Sequence, residues 1–293
     1  MTTPIISFVC WNRAGLTARN LNALLNTTDD FELYIIDSNS KDDTWKFIET
    51  LNDSRIKEIK KLDFNRGCPY AANYVMSKRK NGQFFIHVDS DSYIITKDWI
   101  TKFMEVMNTY PEIGAACTVS PIIYERISRY FNTTSLERNN VTINQCDSFF
   151  AGNCLCIRPE VMDRIGYFNE ETGRCDNDYG KRLSIATDYK IAFVPQIIID
   201  QTQKIECDSC YIKDMCTIRY SGETCFELHD SKYQNMIFDR LTRKRFNKYI
   251  KDVEKGIKSA YCASIHDEKS MENYDYNKEL ANENFKYYID NAN

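Results

Sequence analysis

Phe84-Phe85-Ile86-His87-Val88-Asp89-Ser90-Asp91 is a short apolar run that ends in two carboxylates two residues apart. A run of this length, apolar on both faces, reads as a strand covered on both sides. Its carboxyl end then presents Asp89 and Asp91. Hard oxygen ligands of this kind suit Mg2+ or Mn2+. A divalent ion that bridges a diphosphate neutralises the charge growing on a leaving group. Asp-x-Asp is a common pattern on its own, and an Asx-rich turn after a strand is the plain alternative.

The flanking sequence sets that strand in an alternating pattern. Upstream, Ile5 to Cys10 is a second apolar run, and Ala14, Ala18, Leu21 and Leu25 follow at helical spacing. Phe31 to Ile36 predicts a strand that stops at Asp37, and Trp45, Ile48 and Leu51 mark a helix. Arg55 to Leu62 predicts an edge strand, and Ala71, Ala72, Val75 and Met76 a further helix. Downstream, Trp99, Phe103, Val106 and Met107 form a helical face before a strand over Ile113 to Val119. Strand–helix alternation implies a mostly parallel sheet with helices on both faces. Ligands of such sheets bind beyond the carboxyl ends of the strands, where Asp37 and Asp89 fall.

The second half is less regular. Residues 121–145 predict a loop-rich or short-helix insertion, Phe149 to Ile157 a strand, and Pro159 to Ile165 a helix with Pro at its start. Asp176 to Ala186 predicts a helix and Tyr189 to Val194 a strand. After His229 the pattern is helical and charged, with a final segment that is either a docked helix or a frayed tail. The basic stretch from Arg240 to Lys258 reads as the solvated face of a docking helix. This divides the chain into a domain over residues 1–230, with a Cys-rich loop at 205–226, and a helical extension over 231–293.

Composition narrows the class. The chain has 293 residues, 43% hydrophobic and 27% charged, which fits one large domain or one with an appendage. A net charge of −4 argues against a nucleic-acid partner. No run reaches the ~18 apolar residues of a membrane span, and the N-terminus lacks the basic region of a signal peptide. The expectation is a cytoplasmic protein with no integral membrane contact. Asn-x-Thr triplets at Asn26, Asn132 and Asn140 then carry no glycosylation meaning.

Of 12 cysteines, Cys10, Cys117, Cys154 and Cys156 lie in apolar runs and read as small core residues. Cys207, Cys210, Cys216 and Cys225 fall within 19 residues. Thiolates at this spacing can wrap one structural Zn2+. An iron–sulfur cluster uses the same ligands, and free thiols are the third reading.

In combination, these segments resemble the family-two group of inverting glycosyltransferases, whose fold is the GT-A (nucleotide-diphospho-sugar transferase) α/β fold. Ile5-Ser-Phe-Val-Cys-Trp-Asn12-Arg13 resembles the family's opening strand and Asn-Arg turn. Asp37-Ser-Asn-Ser40-Lys-Asp42-Asp43-Thr44 resembles its acidic, Ser-rich loop. Asn65-Arg66-Gly67, followed by Ala71-Ala72-Asn73, resembles a helix entry. Ala151-Gly152-Asn153, Arg158-Pro-Glu160 and Ile165-Gly166-Tyr-Phe168-Asn-Glu170 resemble the acceptor-side segment.

The resemblance implies roles. Asp37 accepts a hydrogen bond from the nucleobase, with Val9, Trp11 and Arg13 framing it, and Arg66 lies near the base or phosphates. Asp89 and Ser90 meet the ribose or metal, and Asp91 ligates Mn2+ or Mg2+ with His229. Asp176 is the catalytic base and Asp178 the runner-up, in Arg174-Cys175-Asp176-Asn177-Asp178, where Cys175 stands in place of the family's usual acid. His87 reads as packing and His266 as part of a polar tail. The implied reaction moves a sugar, first N-acetylglucosamine, from a UDP-sugar donor to a hydroxyl acceptor. That acceptor is a protein such as flagellin or a glycan. A sugar nucleotidyltransferase is disfavoured by a single Gly between Ile6 and Gly15. A non-catalytic nucleotide-sugar-binding module is the remaining alternative.

Overall fold

The computed structural model describes residues 2–147, 150–201 and 236–291. The first half alternates as its periodicity predicts: β1 (Ile5–Cys10), α1 (Ala14–Leu25), β2 (Glu32–Asp37), α2 (Thr44–Glu49), β3 (Ile56–Lys61), α3 (Cys68–Met76) and β4 (Phe85–Asp89). There follow β5 (Ser92–Ile94), α4 (Trp99–Thr109), β6 (Ile113–Thr118), α5 (Pro121–Ile127), β7 (Thr133–Arg138) and β8 (Val141–Cys146). Then come β9 (Cys154–Ile157), α6 (Pro159–Ile165), α7 (Asp176–Ala186), β10 (Lys190–Phe193) and β11 (Ile199–Gln201). Three helices close the chain: α8 (Met236–Glu254), α9 (Glu268–Glu272) and α10 (Lys278–Asn291).

The strands build a nine-stranded sheet in the order β3-β2-β1-β4-β9-β6-β10-β8-β7. β1 is parallel to β2 and to β4, with Cys10 level with Asp37 and Val9 level with Asp89. The carboxyl ends of the three strands therefore finish at one edge. β9 runs antiparallel between β4 and β6, which returns the Gly152-Asn153 turn to that edge, where Asn153 O accepts from Asp89 N at 2.9 Å.

Both faces of the sheet are covered, and the period-2 alternation of strand side chains divides the core. Ile6, Phe8 and Cys10 of β1 join Leu21, Leu24, Trp99 and Phe103 on one face. Ile5 and Phe85 join Ala71, Ala72 and Val75 on the other. Burial of each large apolar side chain contributes roughly 1.5–3 kcal/mol, so both layers hold the strand ends in place. No helix among the described residues is long and apolar enough to cross a membrane.

Three elements differ from expectation. Residues 121–145 are not an irregular insertion but α5 and a β-hairpin. The hairpin turns on Asn139 and Asn140, both with positive φ, at 52° and 62°. Asn tolerates that region, and two such residues in a row suit the turn that matches strand twist. The strand expected from Phe149 is shorter, Cys154–Ile157. β5 and β11 pair into a separate two-stranded sheet.

The C-terminal segment is docked, not frayed. Cys262 O accepts from Tyr167 N at 2.9 Å, and Cys262 N donates to Ile165 O at 3.0 Å. Gly166 lies between them at φ +69°, and a Cβ there would meet Cys262 O at 2.2 Å. The buried Glu170 carboxylate accepts from Asn73 Nδ2 (2.8 Å), Ser264 Oγ (2.7 Å), Ile265 N (3.1 Å) and Tyr276 Oη (2.5 Å). The segment read as acceptor-side thus anchors the extension to α3.

His266 is part of this docking rather than of a polar tail. Its ring meets Tyr70 and Tyr74 edge-on, at 4.4 and 5.4 Å between centroids, and its Nε2–H donates to Tyr70 O at 2.9 Å. Burial lowers its pKa to about 4, with the charges of Lys60, Lys78 and Arg66 acting in the same direction. An unfolded His titrates near ~6.5, so over this range the unfolded chain binds more protons. The stability from neutral His266 is complete above pH ~6.5 and is lost as pH falls towards ~4, by about 1–2 kcal/mol after allowing for partial exposure. His266→Gln keeps an N–H for Tyr70 but does not titrate. Its melting temperature should fall less than that of wild type across this interval, and parallel melting curves would contradict the assignment.

Candidate active site

Two successive residues after β1, Asn12 (φ 53°) and Arg13 (φ 61°), are left-handed. Non-glycine residues in that region are costly unless locally held, and here the β2–α2 loop holds them. Asn12 N donates to Ser40 Oγ at 2.7 Å, Lys41 N to Asn12 Oδ1 at 2.8 Å and Ala14 N to Asp42 Oδ2 at 2.9 Å. The turn sends Arg13 to Ser90, Nη2 to Oγ 3.3 Å. Trp11 is half-buried in the same turn.

Asp37 is fully buried at the end of β2. Its Oδ1 accepts from Ser40 N at 2.7 Å, whereas Oδ2 is buried without a hydrogen-bond partner. A buried acceptor left unmatched is costly, and this one could take an N–H from a ligand.

Asp89 ends β4 and Asp91 lies two residues beyond it, where the sequence puts them. Asp91 is raised to about 7, first by burial and then by the charge of Asp89, with Arg13 opposing. A cation beside a carboxylate whose ionisation a neighbouring charge opposes favours its charged form. The oxygen-only donor set and this repulsion fit Mg2+ or Mn2+. Asp89 also acts on Asp176, whose pKa burial raises first and Asp89 raises further. Asp176 opens α7, and its Oδ1 accepts from Asn177 N at 2.9 Å. Gly152 lies directly against Asp176: a Cβ there would sit in ordinary van der Waals contact with its carboxylate, at 3.4 Å. Asp37, Asp89, Asp91 and Asp176 thus gather at one sheet edge.

The other assigned residues lie elsewhere. Asp178 faces the interior, in a fully buried pair with Arg182 at 2.5 Å and accepting from Asn169 Nδ2 at 3.1 Å. Arg66 lies over the rings of Tyr70 and Phe64, at 5.1 and 5.9 Å. His229 and the cysteines at 207, 210, 216 and 225 lie outside the described residues.

The reading of His87 as packing alone is corrected. Its Nε2 is 3.1 Å from Asp89 Oδ1 and 3.6 Å from Cys68 Sγ. Cys68 is lowered to about 6 by a hydrogen bond from Cys175, against burial and helped by the charge of His87. Burial pulls His87 down, but the charge of Cys68 and the contact with Asp89 outweigh it and raise it to about 10. The signal was present in part. His87 and Asp89 are two apart on a strand and so share a face, and Cys68 opens a helix, where a thiolate is favoured.

The sequence matches the family described as "Glycosyl transferase family 2" over residues 6–166, more than half of the chain. The chain belongs to that family. The match ends at Gly166, so α7 and Asp176 lie beyond it. Two curated proteins are similar over parts of their length. Over 75 residues the chain is 37% identical to UDP-Glc:alpha-D-GlcNAc-diphosphoundecaprenol beta-1,3-glucosyltransferase WfaP of Escherichia coli, covering 26% of this chain and 29% of that protein. Over 178 residues it is 21% identical to O-antigen chain rhamnosyltransferase RfbN of Salmonella typhimurium, covering 57% of this chain and 56% of that one. The chain therefore spans little more than half the length of the curated relatives it matches, or less.

Solved structures share the GT-A fold. The mannosyltransferase PcManGT from Pyrobaculum calidifontis, in complex with GDP-Man and Mn2+, has a TM-score of 0.53 at 18% identity, over 69% of this chain and 58% of that one. S. aureus TarS in complex with UDP-GlcNAc has a TM-score of 0.52 at 14% identity, over 85% of this chain and 73% of that one.

Proposed function

We propose that this family 2 chain transfers one sugar from a UDP-sugar to a hydroxyl acceptor, by a single inverting displacement supported by Mn2+ or Mg2+. The observation that carries the reading is the convergence of Asp37, Asp89, Asp91 and Asp176 on one sheet edge, with Asp89 acting on both Asp91 and Asp176. Asp89 and Asp91 would hold the ion, which offsets charge on the departing diphosphate. Asp37 Oδ2 takes the uracil N–H. Asp176 removes the proton from the acceptor hydroxyl as its oxygen bonds to the anomeric carbon and the bond to the diphosphate breaks on the opposite face. Its raised pKa makes it a stronger base than an exposed carboxylate.

The TarS complex with UDP-GlcNAc supports N-acetylglucosamine as first donor, and the name of the E. coli relative supports glucose as second. The relatives' names favour a glycan acceptor over a protein.

A screen of nucleotide-sugars, read as free nucleoside diphosphate with and without Mn2+, tests the proposal. A UDP-sugar hydrolysed only with metal is the expected result. UDP binding with no donor consumed in the presence of acceptor sugars would instead mark a binding module.

A further inference from the structure

The transferase reading has no task for Cys68, His87 and Cys175, although they sit beside Asp89. We infer that Cys68 Sγ, His87 Nε2 and Asp89 Oδ1 form a second metal site, for a thiophilic divalent ion of the zinc type, on the wall of the donor cleft.

The distances carry this. Tetrahedral zinc, with Zn–S near 2.3 Å and Zn–N or Zn–O near 2.0–2.1 Å, has an S···N edge of ~3.6 Å and an N···O edge of ~3.3 Å. Here the S···N distance is 3.6 Å and the N···O distance 3.1 Å, and the three ligand atoms all lie within 4.8 Å of one another. All three donors come from rigid elements. Cys68 opens α3, directly after Gly67, where a Cβ would meet the Tyr288 ring of α10 at 2.6 Å. His87 and Asp89 project from one face of β4. Cys175 lies against Cys68 but outside this group of three, which leaves the fourth position to water.

The chemistry separates this site from the neighbouring one. Thiolate and imidazole select zinc-like ions, whereas carboxylates alone suit Mg2+ or Mn2+. Nδ1 of His87 has no hydrogen-bond partner, so an ion on Nε2 leaves a buried N–H unmatched and holds the site below the affinity of a fully supported one. Asp89 serves both sites, so zinc on the Cys68 side withdraws it from Asp91 and opposes Mn2+.

Cobalt(II) titration of the full chain without nucleotide tests this, independently of whether the donor reading holds. Wild type, C68S and His87→Gln are compared, all carrying the thiols at 207, 210, 216 and 225, whose contribution cancels in the difference. Each variant should weaken one cobalt equivalent, because Asp89 is then left to the oxygen-donor site with Asp91, C68S should lose its share of thiolate-to-cobalt charge-transfer absorption, and zinc should displace the ion from wild type. Equal cobalt affinity and absorption in all three would overturn the site and leave a metal-free Cys–His–Asp hydrogen-bond chain. If circular dichroism shows one variant unfolded, the other decides.

Discussion

Asp91→Ala is expected to lower metal-supported donor turnover by about 10^3-fold, equivalent to ~4 kcal/mol of transition-state stabilisation. The half-buried carboxylate lies beside Asp89, so its removal leaves the cation with one of the two oxygen donors that β4 and its turn provide. UDP affinity gives a second readout. Wild type should bind UDP more tightly with Mn2+ than without, and the variant should show no difference. Asp91→Asn should show the same functional loss with a higher melting temperature in metal-free buffer. The sign follows from the folded pKa of about 7, well above the ~3.9 of an unfolded Asp. The folded state then binds more protons between these values, so stability is lost as pH rises from ~4 to ~7. An amide has no such charge to lose. Turnover within tenfold of wild type would remove Asp91 from the metal site.

Asp176→Asn should lower kcat by about 10^2–10^4-fold, the usual range for a general base, with UDP affinity unchanged within a few-fold. The amide keeps an oxygen for Asn177 N but cannot take a proton, so the acidic limb of the pH–rate profile, the fall in rate as the base is protonated, should disappear as well. Asp178→Asn separates the two neighbouring acids. It breaks a fully buried pair with Arg182, a change that costs roughly 3–5 kcal/mol of stability, so its activity should fall with its melting temperature. Near-normal kcat in Asp176→Asn would move the base elsewhere.

The contrast between Asp176 and Asp178 shows where sequence reading stops. Both acids fall in the first turn of one helix, and nothing in their local pattern says which faces the interior. That depends on Arg182, which also donates to Ile165 O at 2.6 Å and Tyr167 O at 2.8 Å, and so on how α7 packs against the Gly166 turn. The hairpin over residues 133–146 was missed for another reason. Of its apolar residues only Ile143 and Cys146 are buried, so the chain shows no alternation, and the Asn139-Asn140 turn was its one local mark. Glu170 and His266 read as acceptor-side and tail residues because their partners lie far along the chain, on α3 and in the extension.

The amino-acid sequence alone determined the sheet half of the molecule and the edge at which Asp37, Asp89 and Asp91 emerge. Apolar runs of about six residues, too short for a helix and set between helical patterns, read as strands, and chain direction in a parallel sheet decides which ends are shared. The tertiary structure alone decided that Asp176 feels the charge of Asp89, that Asp178 is an internal ion-pair partner, and that Cys68 reaches His87. Those pairings depend on how α3 and α7 pack against the sheet, and contacts between distant segments leave no trace in the periodicity of either one.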